Sequence, residues 1–171
     1  MVALALSVLL TPCPSAHAAT ARTLVAKVER VSEGDTITAL TSNGTKLRVR
    51  LLGIDAPEVP HGKKPGQPYE EEARDYLARL IGGRTIRVQT YSPDGFNRTL
   101  AMVLLGTVNV NLEMVQQGLA EVYRGAPCQA YCRDLRVAEL RAKRDRVGMW
   151  AQGDRYESPA AFRQRMRIRR D

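Results

Sequence analysis

Lys46-Leu47-Arg48-Val49-Arg50-Leu51 alternates without a break, with Leu47, Val49 and Leu51 on one face and Lys46, Arg48 and Arg50 on the other. A period of two marks a strand with one buried and one wet face. Working backward, Ser42-Asn43-Gly44 supplies a turn, and Thr36 to Leu40 is a short β-branched run. Before it, Leu24, Ala26 and Val28 alternate with Lys27 and Glu29. These three runs predict a three-stranded meander.

Working forward, a loop rich in Pro, Gly and Lys runs from Pro57 to Pro68. Ala73, Tyr76, Leu77 and Leu80 then recur at helical spacing, and Gly82-Gly83 ends that helix. Two more alternating runs follow, Thr85 to Thr90 and Thr99 to Leu105, separated by a loop containing Pro93-Asp94-Gly95. Asn111 is the expected N-cap of a second helix using Leu112, Val115 and Leu119. A third is expected from Arg133 to Val147, using Leu135, Ala138 and Ala142, with Gly148 as its stop. The order βββ-α-ββ-α-α predicts an α+β fold, a five-stranded OB-type β-barrel with three packed helices. Such barrels commonly bind nucleic acid, although a fold does not fix a function.

The 171 residues suit one main domain, expected over 19–153. The first 18 residues read as a signal peptide. Val2 to Leu10 is apolar, Ala16-His17-Ala18 is a cleavage pattern, and the apolar run is too short to span a bilayer. A secreted or periplasmic product follows as an expectation, with no membrane span. Cys128 and Cys132 then remain as a disulfide or as two free thiols. Zinc lacks ligands, since only His61 accompanies them. Residues 154–171 form a basic tail in which Phe162, Met166 and Ile168 are interspersed with Arg163, Arg165, Arg167, Arg169 and Arg170. It reads either as an arm that grips phosphate or as a solvated tail without a role.

Lys and Arg total 26 against 18 Asp and Glu, a net charge of +8. Arg supplies 21 of those cations, and guanidinium is the better bidentate partner for phosphate. The balance permits a polyanionic partner and does not establish one. Chemistry concentrates in Arg50-Leu51-Leu52-Gly53-Ile54-Asp55-Ala56-Pro57-Glu58, with Asp35 at the start of the neighbouring strand. Two carboxylates without imidazole or thiolate make a hard oxygen site suited to calcium or magnesium. Glu58 is placed to orient or deprotonate a water, and Arg50 and Arg98 to stabilise charge on phosphorus.

At these residues the chain resembles the thermonuclease, or staphylococcal nuclease-like, family over about residues 23–150. The resemblance rests on Gly34-Asp35-Thr36, the run Arg50 to Glu58, Asp94 to Arg98, Gly118-Leu119-Ala120 and Gly148-Met149-Trp150. It implies that Asp35, Asp55 and the main-chain carbonyl of Ala56 hold calcium. It implies further that Glu58 is the general base and that Arg50 and Arg98 bind phosphate. The implied activity is hydrolysis of DNA and RNA at the 5′-oxygen to leave 3′-phosphates. Lys63 and Lys64 match a flexible basic loop beside the site, and Tyr123 is a candidate base-stacking residue. Ala56, Phe96 and Asn97 depart from the threonine, tyrosine and glycine common in the family. A monomer without stable protein partners is expected. The alternatives are a catalytically inactive OB-type nucleic-acid-binding module and a basic barrel that binds acidic polysaccharide.

Overall fold

The structure, a computed structural model, describes residues 22–93, 98–125 and 131–168. The expected signal peptide, Phe96, Asn97 and Cys128 lie outside the described residues.

The expected meander is present as β1 (Arg22–Glu33), β2 (Thr36–Thr41) and β3 (Lys46–Leu51). A two-residue strand β4 (Ile54–Asp55) follows, then α1 (Glu70–Ile81), β5 (Thr85–Pro93) and β6 (Thr99–Leu105). After these come β7 (Val108–Asn109), α2 (Val110–Gln116), β8 (Glu121–Val122) and α3 (Cys132–Arg144). A 3-10 stretch over Gly148–Arg155 leads to a further helix, α4 (Pro159–Ile168). The main sheet runs β3-β2-β1-β5-β6 and closes on itself through a β3–β6 pairing, which makes a five-stranded barrel. Closure is parallel, with Val49 opposite Thr99 and Leu51 opposite Ala101. The long β1 serves two neighbours, pairing with β5 from Arg22 to Lys27 and with β2 from Ala26 to Glu33. Register shifts near Val28 and Val31 bend it between them.

Alternation supplies the core. Val28, Ile37, Val49, Leu51, Ile86, Val88 and Val103 point inward and are fully buried, met by Leu77 and Ile81 of α1, Met114 of α2 and Leu135 of α3. At about 25 cal/mol per Å² of apolar surface removed from water, this enclosure is the main source of stability.

Three details differ from the sequence reading. The N-cap of α2 is Asn109, whose side chain accepts from the Leu112 N–H. Asn111 lies inside the first turn and is fully buried, with its amide bonding Val103, Leu52 and Ala101. Either asparagine satisfies a capping pattern, and the barrel's need for a buried polar tie decides between them. Next, α3 ends at Arg144 rather than Val147, because Arg146 adopts a left-handed φ of 52°. Last, the three expected helices are joined by α4. Cys132 is disulfide-bonded, so the free-thiol alternative does not hold for it.

Gly118 and Gly148 explain each other. Both have positive φ, and a Cβ on Gly118 would fall 2.1 Å from the Val147 carbonyl oxygen, one on Gly148 2.4 Å from that of Gly118. Two backbones cross here in direct contact, sealed by the Met149 N–H bonded to Gly118 O at 2.9 Å. The crossing fixes the end of α2 against the segment after α3.

Candidate active site

The site starts at the β1–β2 turn. A Cβ on Gly34 would lie 2.7 Å from that of Ala73 and 2.8 Å from that of Ala56, so α1 and the loop after β4 clamp this turn with no space for a side chain. Asp35, next along, is therefore buried. Its Oδ2 accepts from the Ala56 N–H at 2.8 Å, and its Oδ1 accepts from Thr36 Oγ1 at 2.9 Å and from Arg50 Nη1 at 2.6 Å.

Arg50 reaches this point because β2 and β3 pair with Thr36 opposite Arg50, and because the residues beside it, Val49 and Leu51, take the inward positions. Its Nη2 donates to Asp55 Oδ1 at 2.7 Å, so one guanidinium bridges two buried carboxylates. Asp55 sits on β4, opposite Glu121 of β8. Burial pushes the Asp35 carboxyl up to about 6, with Arg50 opposing and Asp55 adding to the rise. Burial also works against the Arg50 charge, but Asp35 and Asp55 outweigh it and hold its pKa above the ordinary arginine value.

Glu58 is half-buried, and its backbone is clasped by Gln67. The Glu58 N–H donates to Gln67 Oε1 at 3.2 Å, and the Gln67 N–H returns a bond to Glu58 O at 2.8 Å. Gln67 Nε2 then donates to Glu157 O at 2.6 Å, tying this loop to the segment entering α4.

From α4 comes a residue that the sequence reading placed only in a basic tail. Arg163 Nη2 donates to Asp55 Oδ2 at 2.8 Å, while its Nη1 donates to Asp55 Oδ1 at 3.0 Å and to Glu58 Oε1 at 2.5 Å. Hydrogen bonding to Asp55 raises its pKa, outweighing burial. The sequence reading gave no fourth helix, although the signals for one are local. Ser158 caps it through a bond from the Ala161 N–H at 3.1 Å, Pro159 opens it, and Phe162 and Met166 are its buried stripe. Nothing in the local pattern says where Arg163 points.

The structure thus joins Asp35, Arg50, Asp55, Glu58 and the Ala56 backbone in one network. Arg98 is half-buried at the entrance to β6, next to Thr99, which pairs with Val49 on the strand that carries Arg50. Lys63 and Lys64 lie on a small hairpin in which His61 and Lys64 exchange backbone bonds of 3.2 and 3.0 Å. Tyr123 is 40% exposed, and its N–H bonds Gly53 O at 2.9 Å, which places it on the turn just before Asp55.

The donors suit a hard divalent cation. They are carboxylate oxygens, burial holds the Asp35 carboxyl above its ordinary range even with Arg50 bonded to it, and a second guanidinium bonds Asp55 and Glu58. Among the described residues no three His, Cys, Asp or Glu side chains converge on one metal position. Asp35 and Asp55 would therefore hold calcium together with main-chain and water oxygens.

A closed five-stranded barrel with a buried acid–arginine–acid bridge at the β1–β2 turn and the β3–β4 edge defines a small OB-type barrel with a buried polar site. Residues 48–152 match the family described as staphylococcal nuclease homologue, and the chain belongs to that family. The protein named "Probable endonuclease LCL3" from Coccidioides posadasii (strain C735) is 33% identical over 182 residues, covering 85% of this chain and 58% of its own length. Its namesake from Clavispora lusitaniae (strain ATCC 42720) is 34% identical over 170 residues, covering 83% of this chain and 73% of its own. The chain thus spans less than two thirds of the first relative. The family match takes in Arg50, Asp55, Glu58 and Arg98 but stops short of Arg163.

Proposed function

We propose that this protein is an exported, calcium-dependent nuclease that hydrolyses phosphodiester bonds of both DNA and RNA. The observation that carries this reading is the single network joining Asp35, Arg50, Asp55 and Glu58. Calcium, when bound, neutralises phosphoryl oxygens and polarises the phosphorus. Asp35 and Asp55 would hold that ion, and both carboxylates are buried from bulk water. Glu58 takes a proton from a water whose oxygen attacks phosphorus. Arg50 and Arg98 hold the phosphate and stabilise the negative charge that gathers on it. The bond to the 5′-oxygen breaks, that oxygen takes a proton from solvent water as it leaves, and a 3′-phosphate remains. A net charge of +8 supports capture of a polyanion. The apolar leader supports export, and the named endonucleases among its relatives support the reaction class.

The test is hydrolysis of single-stranded DNA and RNA by the 19–171 chain in calcium and then in chelator, beside Glu58→Gln. Cleavage should require calcium and fall by roughly 10²–10⁴ in the variant, the usual contribution of a general base. Binding of DNA with no cleavage under any divalent cation would replace the enzyme with an inactive binding module.

A further inference from the structure

Arg163 sits on carboxylate oxygens that a cation at Asp55 would use, sharing Oδ1 with Arg50. Its two terminal nitrogens take both oxygens of Asp55 and one of Glu58. Those are the oxygens that a cation at Asp55 and a water at Glu58 would need. The charges agree with the geometry. Three carboxylates, Asp35, Asp55 and Glu58, meet here, with Arg50 bonded to the first two. Arg163 brings one positive charge to Asp55 and Glu58, and a divalent cation would bring two.

The way α4 is held suits reversible occupancy. Among its described side chains Pro159, Phe162 and Met166 are buried, and it is held besides by the Arg163 bonds and by the Gln67 bond to Glu157 O just before it. Its flank is stiffened by Arg165, which grips Glu157 in a pair of bonds at 2.8 and 2.6 Å on the exposed side. A ten-residue helix held by three buried apolar side chains belongs to the part of a structure that opens locally without global unfolding. Gln67 bonds the backbone of Glu58 as well as Glu157, so release of α4 and freeing of Glu58 are mechanically linked.

We propose that α4 is an autoinhibitory plug, in which the Arg163 guanidinium fills the place of a divalent cation at Asp55 and Glu58 and cation binding expels the helix. The proposal rests on the reading above that Asp35 and Asp55 hold calcium. Apparent calcium affinity is then set by the fraction of molecules with α4 released, so loosening the plug raises it.

The experiment is a calcium titration by calorimetry of the 19–171 chain, of Arg163→Gln, and of a Phe162→Ala/Met166→Ala double variant that leaves every acid and arginine in place. Amide hydrogen exchange over 158–168 is followed with and without calcium. Calcium should bind about ten- to a hundred-fold more tightly to Arg163→Gln, the equivalent of one charge-assisted hydrogen-bonded contact. The double variant should move in the same direction, and calcium should speed exchange across α4 in the unmodified chain. Equal affinities with unchanged exchange would overturn the plug and leave the calcium reading intact. Weaker binding by Arg163→Gln would overturn it too, making Arg163 a partner of the ion. No calcium binding by any of the three would bring down the calcium reading and the plug together.

Discussion

Asn111→Ala distinguishes a buried tie from a helix cap. The Asn111 side chain is fully buried, accepts from the Val103 N–H at 2.9 Å, and donates to Leu52 O at 2.9 Å and Ala101 O at 3.1 Å. Truncation strips those partners unequally. Ala101 O keeps the Leu52 N–H at 2.8 Å, whereas the Val103 N–H and Leu52 O lose the bonds Asn111 gives them. An orphaned buried amide costs ~1–3 kcal/mol and a lost carbonyl bond about 1. A further ~1 kcal/mol follows from the space left behind. The sum is roughly 4 kcal/mol, or a fall of about 8–16 °C in Tm for a domain of this size. Urea unfolding followed by far-UV circular dichroism measures it, with m unchanged if only the native state is affected. Asn109→Ala is the internal reference, because loss of an N-cap costs ~1 kcal/mol. If Asn111→Ala proves no worse than Asn109→Ala, the buried tie does not hold the barrel and the assignment of roles to the two asparagines is wrong.

Burial raises the Glu121 pKa above its ordinary 4.5, against the opposing Tyr156 hydrogen bond and Arg124 charge. The native state therefore holds that proton more strongly than the unfolded chain, and the stability it contributes at low pH drains away as pH rises through the folded value. Glu121→Gln should gain stability relative to the parent between pH 4 and pH 7 in denaturant titrations; a loss over that interval would reverse the sign of the argument. Gly148→Ala should cost about 2 kcal/mol or more in thermal unfolding, because a side chain at its φ of 57° meets the Gly118 and Gln117 carbonyl oxygens. A tolerated alanine there would mean that the two backbones separate easily.

Legibility in the sequence tracks how local each interaction is. The five barrel strands were readable because alternation is written residue by residue, and Ser42-Asn43-Gly44 supplies the turn that sets β2 against β3, whereas the two-residue β4, β7 and β8 were not. Once that register holds, Thr36 lies opposite Arg50, and the Asp35–Arg50 bond follows at a separation of 15 residues. The Arg50–Asp55 bond spans only 5. The acid–arginine–acid bridge is therefore nearly a consequence of one hairpin. The choice of Asn109 over Asn111 as cap was not readable, because it depends on whether the barrel offers Asn111 partners from β3 and β6. A capping pattern carries no information about that.

Arg163 marks the other limit. Its bonds to Glu58 and Asp55 cross 105 and 108 residues. Five arginines in a short tail look alike in sequence, and helical spacing alone places Phe162 and Met166 on one stripe without saying what that stripe covers. The selection is made by charge. A cluster of carboxylates, two of them buried, will recruit a cation that a docked element brings within reach, since an unpaired buried charge is costly. On that account the position of Arg163 follows from the same excess of carboxylate that suits the site to a divalent ion. Arg163 and the ion proposed for the Asp55 oxygens would answer to one electrostatic demand, so they should compete.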